Sequence, residues 1–229
     1  MELNGQTALV TGGADGIGAG IAERLAAEGM HVVIADRDER SGPAMAERTG
    51  GSFVRTDLAN RADVRAAVDA AGPVGVLVNN AGGFEEPCFP VEWEHTLDLN
   101  LHAVMLATQL VLAPMRERGG GAVINIASTA GLGTASHVSP EYAVAKAGVV
   151  RFTACLAPWR DMGVRVNCIC PGMVDTPMAD GDRHNVGNYA LGRLADPVEI
   201  ARAILFLTSD ESSYVTGAAL AADGGRSFY

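Results

Sequence analysis

The sequence predicts an α/β chain built on a parallel sheet that is wound on both sides. Three observations carry this prediction. Short apolar runs alternate with helical stretches of roughly ten or more residues, the pattern of right-handed strand-helix-strand units. The first run, TALV (7–10), passes through a glycine-rich turn, TGGADGIG, into a helical pattern. The run VGVLV (74–78) is nearly all apolar, as a strand covered on both faces must be.

Each element follows in order. After the glycine turn, IAERLAAEG reads as a helix up to Gly29, and HVVIA (31–35) is a second strand ending at Asp36. Residues 38–50 are helical, SFVRT (52–56) is a third strand that stops at Asp57-Leu58, and a helix over 60–71 leads into VGVLV and then Asn79-Asn80-Ala81-Gly82. A long helix is expected from Val91 to Arg118, with Pro114 bending or breaking its last turns. AVINIA (122–127) is a fifth strand delivering Ser128, and the helix carrying Tyr142 ends at or kinks by Pro158. VRVNCIC (164–170) is a sixth strand, stopped by Pro171-Gly172. Met173 to Leu191 has no period and reads as a loop or short helices that lid the strand ends. The helix in GRLADPVEIARAILFLTSD is entered through Asp196 as N-cap and Pro197 at its first position, and AALAADGG closes as a seventh strand. With no repeat, low-complexity tract or linker, residues 1–229 are expected to form one domain.

Composition narrows the class of partner. A net charge of −10 and a pI near 4.9, with no basic run, argue against nucleic acid or an anionic membrane. There is no run of about eighteen apolar residues and no leader-like start, so no membrane span is expected and a reducing cytoplasm is the default. Cys88, Cys155, Cys168 and Cys170 show no CxxC pair or disulfide spacing. Cys168 and Cys170 would share one face of a strand as core residues, and no metal site is expected.

The chemistry concentrates at the expected C-terminal ends of the strands, where an open α/β sheet binds ligands. Gly12, Gly16 and Gly18 let backbone approach an anion at a helix N-terminus, a phosphate cradle. Asp36, about twenty residues past the glycines, can accept from both ribose hydroxyls of an adenosine and repel a 2′-phosphate, which favours NAD over NADP. Asp15 adds a second negative charge. Arg37 is the opposing signal, since it could reach a phosphate, but it is read as a solvated charge. Tyr142 and Lys146, one helical turn apart, project from one face. A free phenol, with a pKa of about 10, is a poor base, and a nearby cation should lower that value. Ser128 could then hold a substrate oxygen while Tyr142 exchanges its proton.

TGxxxGxG from Thr11 to Gly18, the Asn79–Gly82 run, Asn100, Ser128, YxxxK at Tyr142 and Lys146, and Pro171-Gly172 with Thr176 together resemble the short-chain dehydrogenases/reductases over nearly the whole chain. The resemblance implies a Rossmann-like domain of seven mainly parallel strands with helices on both faces. It implies that Tyr142 is the general acid/base, that Lys146 lowers its pKa and bonds the nicotinamide ribose, that Ser128 polarises the substrate oxygen and that Asn100 holds a proton-relay water. It further implies Asp57 and Leu58 beside the adenine, Asn79 at the adenosine ribose and Thr176 at the nicotinamide amide. Ile17, Ala81, Gly82, Pro171, Gly172 and Val174 complete the expected cofactor contacts.

The expected activity is NAD-dependent interconversion of a secondary alcohol and a ketone by a homo-oligomer, a tetramer or dimer. An NADPH-preferring ketoreductase, such as a 3-oxoacyl thioester reductase, is the alternative, and a non-catalytic dinucleotide sensor or scaffold is the alternative of another class. Two departures bear on substrate: Ser128 to Tyr142 is about one residue longer than common members, and Thr176 to Gly192 is several residues shorter. His137 is weighed as a substrate contact and read as a surface histidine; Pro158 and Trp159 are expected near a subunit contact.

Overall fold

A computed structural model describes residues 3–83, 93–133, 139–157, 163–179 and 183–228. His137, Pro158, Trp159 and Cys88 lie outside the described residues. Seven strands form one sheet in the order β3-β2-β1-β4-β5-β6-β7, and every neighbouring pair is parallel. They are β1 (Thr7–Thr11), β2 (His31–Asp36), β3 (Ser52–Arg55), β4 (Val74–Asn79), β5 (Gly121–Ile126), β6 (Val164–Pro171) and β7 (Ala219–Ala222). The strand order reverses between β1 and β4. That switch point opens a crevice at the strands' C-terminal ends.

Helices α1 (Gly16–Ala27), α2 (Ser41–Thr49), α3 (Arg61–Ala71), α4 (Trp93–Leu97), α5 (Ala103–Glu117), α6 (Pro140–Leu156) and α7 (Pro197–Thr208) cover both faces. Strand β4 shows why its sequence is so apolar. Val76 and Val78 pack with Ile21, Leu25 and Ile204 on one side, and Leu77 packs with Val111 and Met115 on the other. Each such side chain contributes roughly 1.5–3 kcal/mol by leaving water.

Helix α1 begins at Gly16, well before the apolar pattern at Ile21, because Asp15 caps it by accepting from the Gly16 N–H at 2.6 Å. The long helix expected over 91–118 is interrupted: a π-helical turn, Asp98–His102, joins α4 to α5. Pro114 does not break α5, which runs on to Glu117. Within Trp93–Glu117, 25 residues, an 18-residue window has a mean hydropathy of 1.3, enough in length and composition to cross a membrane, yet half of that window is buried in this fold. Helix α7 starts with Asp196 as N-cap and Pro197 at its first position, as its entry sequence predicts, and the structure adds a capping box, with Asp196 accepting from Val198 N at 2.9 Å and Glu199 from Asp196 N at 2.9 Å.

The segment after β6 contains short 3-10 turns, Pro177–Ala179 and Arg183–Asn188. Its ends are stitched by an isolated bridge between Val174 and Ala195, with Asp175 N donating to Ala195 O at 2.8 Å and Ala195 N to Met173 O at 3.0 Å.

Candidate active site

One cleft of about 670 Å³ lies at the switch point. Its floor is made by close approaches that only glycine permits. A Cβ on Gly18 would lie 1.9 Å from Gly12 O, and one on Gly12, at φ +63, would lie 2.8 Å from Ala81 Cα. The turn is laced to the end of β4 by Asn80, whose Nδ2 donates to Thr11 O at 3.0 Å and Gly12 O at 2.9 Å. Thr11 Oγ1 in turn accepts from Asn80 N and Ala81 N at 3.0 and 3.2 Å.

Around this floor the cleft is lined by Gly12, Asp15, Gly16, Ile17 and Gly18, then by Asp36 and Arg37 after β2, and by Asp57 and Leu58 after β3. Ala81 and Gly82 follow β4, and Pro171, Gly172, Val174 and Thr176 follow β6. Thr176 closes over the glycine turn, its Cγ2 standing 3.3 Å from where a Gly16 Cβ would be. The oxygens of Asp36 accept from Ala14 N and Asp38 N, each at 3.0 Å. A carboxylate offers about four acceptor positions, so capacity remains for hydroxyls.

Ser128, Tyr142 and Lys146 line the same cleft. Ser128 is the first residue past β5 but one, where it caps the 3-10 turn Thr129–Leu132 by accepting from Ala130 N at 3.1 Å. Tyr142 and Lys146 lie on the inner face of α6, 8% and 2% exposed. The Tyr142 side chain hydrogen-bonds Ser128. Lys146 Nζ donates to Ile126 O at 2.9 Å and stands 5.5 Å from the centre of the Tyr142 ring.

Burial governs the titration of both groups. It pushes the Tyr142 phenol up to about 12, against which the Ser128 hydrogen bond works only in part. It brings the Lys146 ammonium down to about 8. The shift of the phenol is thus opposite to the one expected from a neighbouring cation, because desolvation outweighs the Ser128 hydrogen bond.

Asn100 does not line the cleft. Fully buried at the π-helical turn, it lies behind Gly82 beside Lys146: a Cβ on Gly82 would sit 2.7 Å from Asn100 Oδ1 and 2.9 Å from Lys146 Nζ. Its amide clamps Gly83, accepting from Gly83 N at 3.1 Å and donating to Gly83 O at 2.8 Å, and it also donates to Thr96 O at 3.0 Å. Such π turns recur at functional sites.

The Asn79 side chain does not reach the cleft. It is 2% exposed and turned under the sheet end, donating to Thr108 Oγ1 at 3.0 Å and Asn125 Oδ1 at 2.9 Å. Asn125 donates onward to Thr153 Oγ1 at 2.9 Å. The residue that borders the cleft is Asn80. Strand alternation carries the signal, since Asn79 must share the side of Leu77, which faces α5. Thr56, Met173 and Tyr189 also line the cleft without having stood out in the sequence. Among the described residues no group of three His, Cys, Asp or Glu could hold a metal, and Cys168 and Cys170 are fully buried.

A dinucleotide fits this donor set. The glycine cradle has no room for a Cβ, a helix N-terminus faces it, and a carboxylate stands at the end of β2.

Residues 12–227 match the family model described as enoyl-(acyl carrier protein) reductase. A 3-alpha-(or 20-beta)-hydroxysteroid dehydrogenase of Mycobacterium bovis is 43% identical, the alignment covering 98% of this chain and 90% of the relative. A solved structure of a short chain dehydrogenase/reductase family protein superimposes with a TM-score of 0.93 at 35% identity, covering 100% of both chains. A blue fluorescent protein from a metagenomic library, solved in complex with NADPH, gives a TM-score of 0.92 at 36% identity, with 99% of each chain covered. Motifs, sheet order and relatives agree: the chain belongs to the short-chain dehydrogenase/reductase family of oxidoreductases.

Proposed function

We propose that this chain is an NAD-dependent dehydrogenase that interconverts a small-molecule secondary alcohol and its ketone, with residues 1–229 acting as one domain. The observation that carries the reading is the meeting of Ser128, Tyr142 and Lys146 in the cleft whose other end holds Asp36. Gly12, Gly16, Ile17 and Gly18 would hold the pyrophosphate, Asp36 the adenosine ribose, and Asp57 and Leu58 the adenine. Ala81, Gly82, Pro171, Gly172, Val174 and Thr176 would hold the rest of the dinucleotide. A bound nicotinamide dinucleotide supplies the two-electron hydride acceptor or donor.

The side chains handle orientation and protons. Ser128 Oγ positions the substrate oxygen beside the phenol. Tyr142 gives its proton to a ketone oxygen on reduction and takes one from the alcohol on oxidation. A phenol held up to about 12 stays protonated near neutrality, the form that reduction needs. Lys146 would return protons to Tyr142 and bond the nicotinamide ribose, and Asn100 beside it would hold the water that passes protons onwards.

Asp36 supports NAD, because a second negative charge beside a 2′-phosphate is unfavourable. Arg37 at the same end of the cleft, and the NADPH complex of one structural relative, support the second reading, an NADPH-preferring ketoreductase such as a 3-oxoacyl thioester reductase. Free thiols at Cys155, Cys168 and Cys170 support a reducing cytoplasm. Exposed Phe206 on α7 and Leu220 on the edge strand β7 support a dimer or tetramer. The test follows the absorbance of reduced nicotinamide with NAD and NADP against secondary alcohols and ketones. Higher kcat/KM with NAD is expected; a preference for NADP moves the assignment to the second reading, and no turnover with any substrate removes both.

A further inference from the structure

A side cavity of about 310 Å³ adjoins the cleft, and the two share Met173 and Tyr189 as lining. Tyr189 is held firmly in that wall. Its hydroxyl oxygen accepts from Met173 N at 3.1 Å, its Cε1 stands 2.8 Å from where a Gly172 Cβ would be, and the Arg226 guanidinium lies 6.0 Å from the centre of its ring. The remaining wall is mixed: Leu191, Ile200 and Ala222 give it an apolar side, and Arg193, Glu199 and Asp223 a charged one. The charged groups there already have partners. Arg193 donates to both oxygens of Glu199 at 2.7 and 2.8 Å, and the Asp223 carboxylate accepts from Gly225 N and Ser227 N at 3.0 and 2.7 Å. A hydrocarbon ring entering the cavity would rest on the side that Leu191, Ile200, Ala221 and Ala222 form.

We propose that Tyr189 is a specificity-determining residue, its ring the partition that keeps the apolar part of the substrate out of the side cavity and so sets a size limit on the alcohol or ketone accepted. The inference rests on the reading of the cleft as a dehydrogenase site. Truncating the ring joins the two spaces and turns the side cavity into an annex for a bulky aliphatic ring system.

The test compares cyclohexanol and cyclododecanol as substrates for the wild type, Tyr189→Ala, Tyr189→Leu and Tyr189→Phe, with dinucleotide affinity measured in parallel. Replacement by Ala should raise the cyclododecanol-to-cyclohexanol ratio of kcat/KM roughly tenfold or more, since differential transition-state contact sets such ratios. Phe, which keeps the ring, should leave the ratio at the wild-type value. An unchanged ratio in Ala overturns the proposal, as does a Phe variant that widens specificity like Ala; if Ala does not fold, Leu decides by the same ratio. If no form oxidises either alcohol, the wider panel of alcohols and ketones decides the dehydrogenase reading separately, and calorimetry with cyclododecanol decides on the partition. Binding tighter in the truncated variant by roughly tenfold supports it, and equal binding overturns it.

Discussion

Lys146 donates from Nζ to the carbonyl oxygen of Ile126 at 2.9 Å, tying the inner face of α6 to the last residue of β5. The ammonium is 2% exposed, and burial holds it at a pKa of about 8 instead of the usual lysine range. Between those values the folded chain binds fewer protons than the unfolded chain, so stability rises with pH across the window. Below about 8 the charged form is a cost on the order of 3 kcal/mol. Replacing Lys146 with Met should therefore raise Tm near neutral pH by several degrees and abolish that alkaline rise, as thermal unfolding at several pH values will show.

Tyr142→Phe keeps the ring and removes the proton. Turnover should fall roughly a thousandfold, the scale of a positioned acid or base, while calorimetric affinity for NADH stays within about twofold of wild type. Retained turnover would take Tyr142 out of the proton path.

Asp36→Asn removes the charge at the end of β2 but keeps an acceptor oxygen. The ratio of kcat/KM for NADP to that for NAD should rise roughly tenfold or more, a change of about 1.4 kcal/mol in differential binding. Steady-state kinetics with both dinucleotides measures it, and an unmoved ratio would show that Asp36 does not select the cofactor.

Asn79→Leu strips the buried chain of hydrogen bonds from its first member. Thr108 and Asn125 then each lose a partner in the interior, and stability in urea should drop by about 2–3 kcal/mol. KM for the dinucleotide should stay within about twofold if Asn79 is a support for β4 and β5; a rise of tenfold or more would return it to the ribose.

Gly18→Ala places a methyl group where Gly12 O already stands, 1.9 Å from the ideal Cβ. Backbone must move to relieve it, at about 1–3 kcal/mol. Tm should fall, and calorimetry should show dinucleotide affinity weakened by roughly tenfold or more.

The fold was legible because its signals are local and redundant. VGVLV announces a strand buried on both faces, and Asp196-Pro197 announces a helix start, so sheet and helices emerge with boundaries shifted by a few residues. The early start of α1 at Gly16 was hidden by glycine, a poor helix former that Asp15 rescues by capping. Ser128, Tyr142 and Lys146 converge from β5 and α6 as strand-end position and helical spacing suggest. The side chain of Asn79 faces α5, as alternation along β4 places it, a direction that the motif alone does not report. The direction of the phenol's shift was not legible, since desolvation depends on packing that no spacing of residues reports. Tyr189 was invisible for a similar reason: it sits in a segment without period, and only folding brings it against Gly172.

The bridge between Val174 and Ala195 pins both ends of that segment at one point on the scaffold. A loop closed at its root can be shortened, lengthened or exchanged with little entropic penalty and without disturbing the strands beneath. Descendants of such a chain could change what they act on by rewriting one detachable insert, and a protein engineer could do the same by grafting between those two positions.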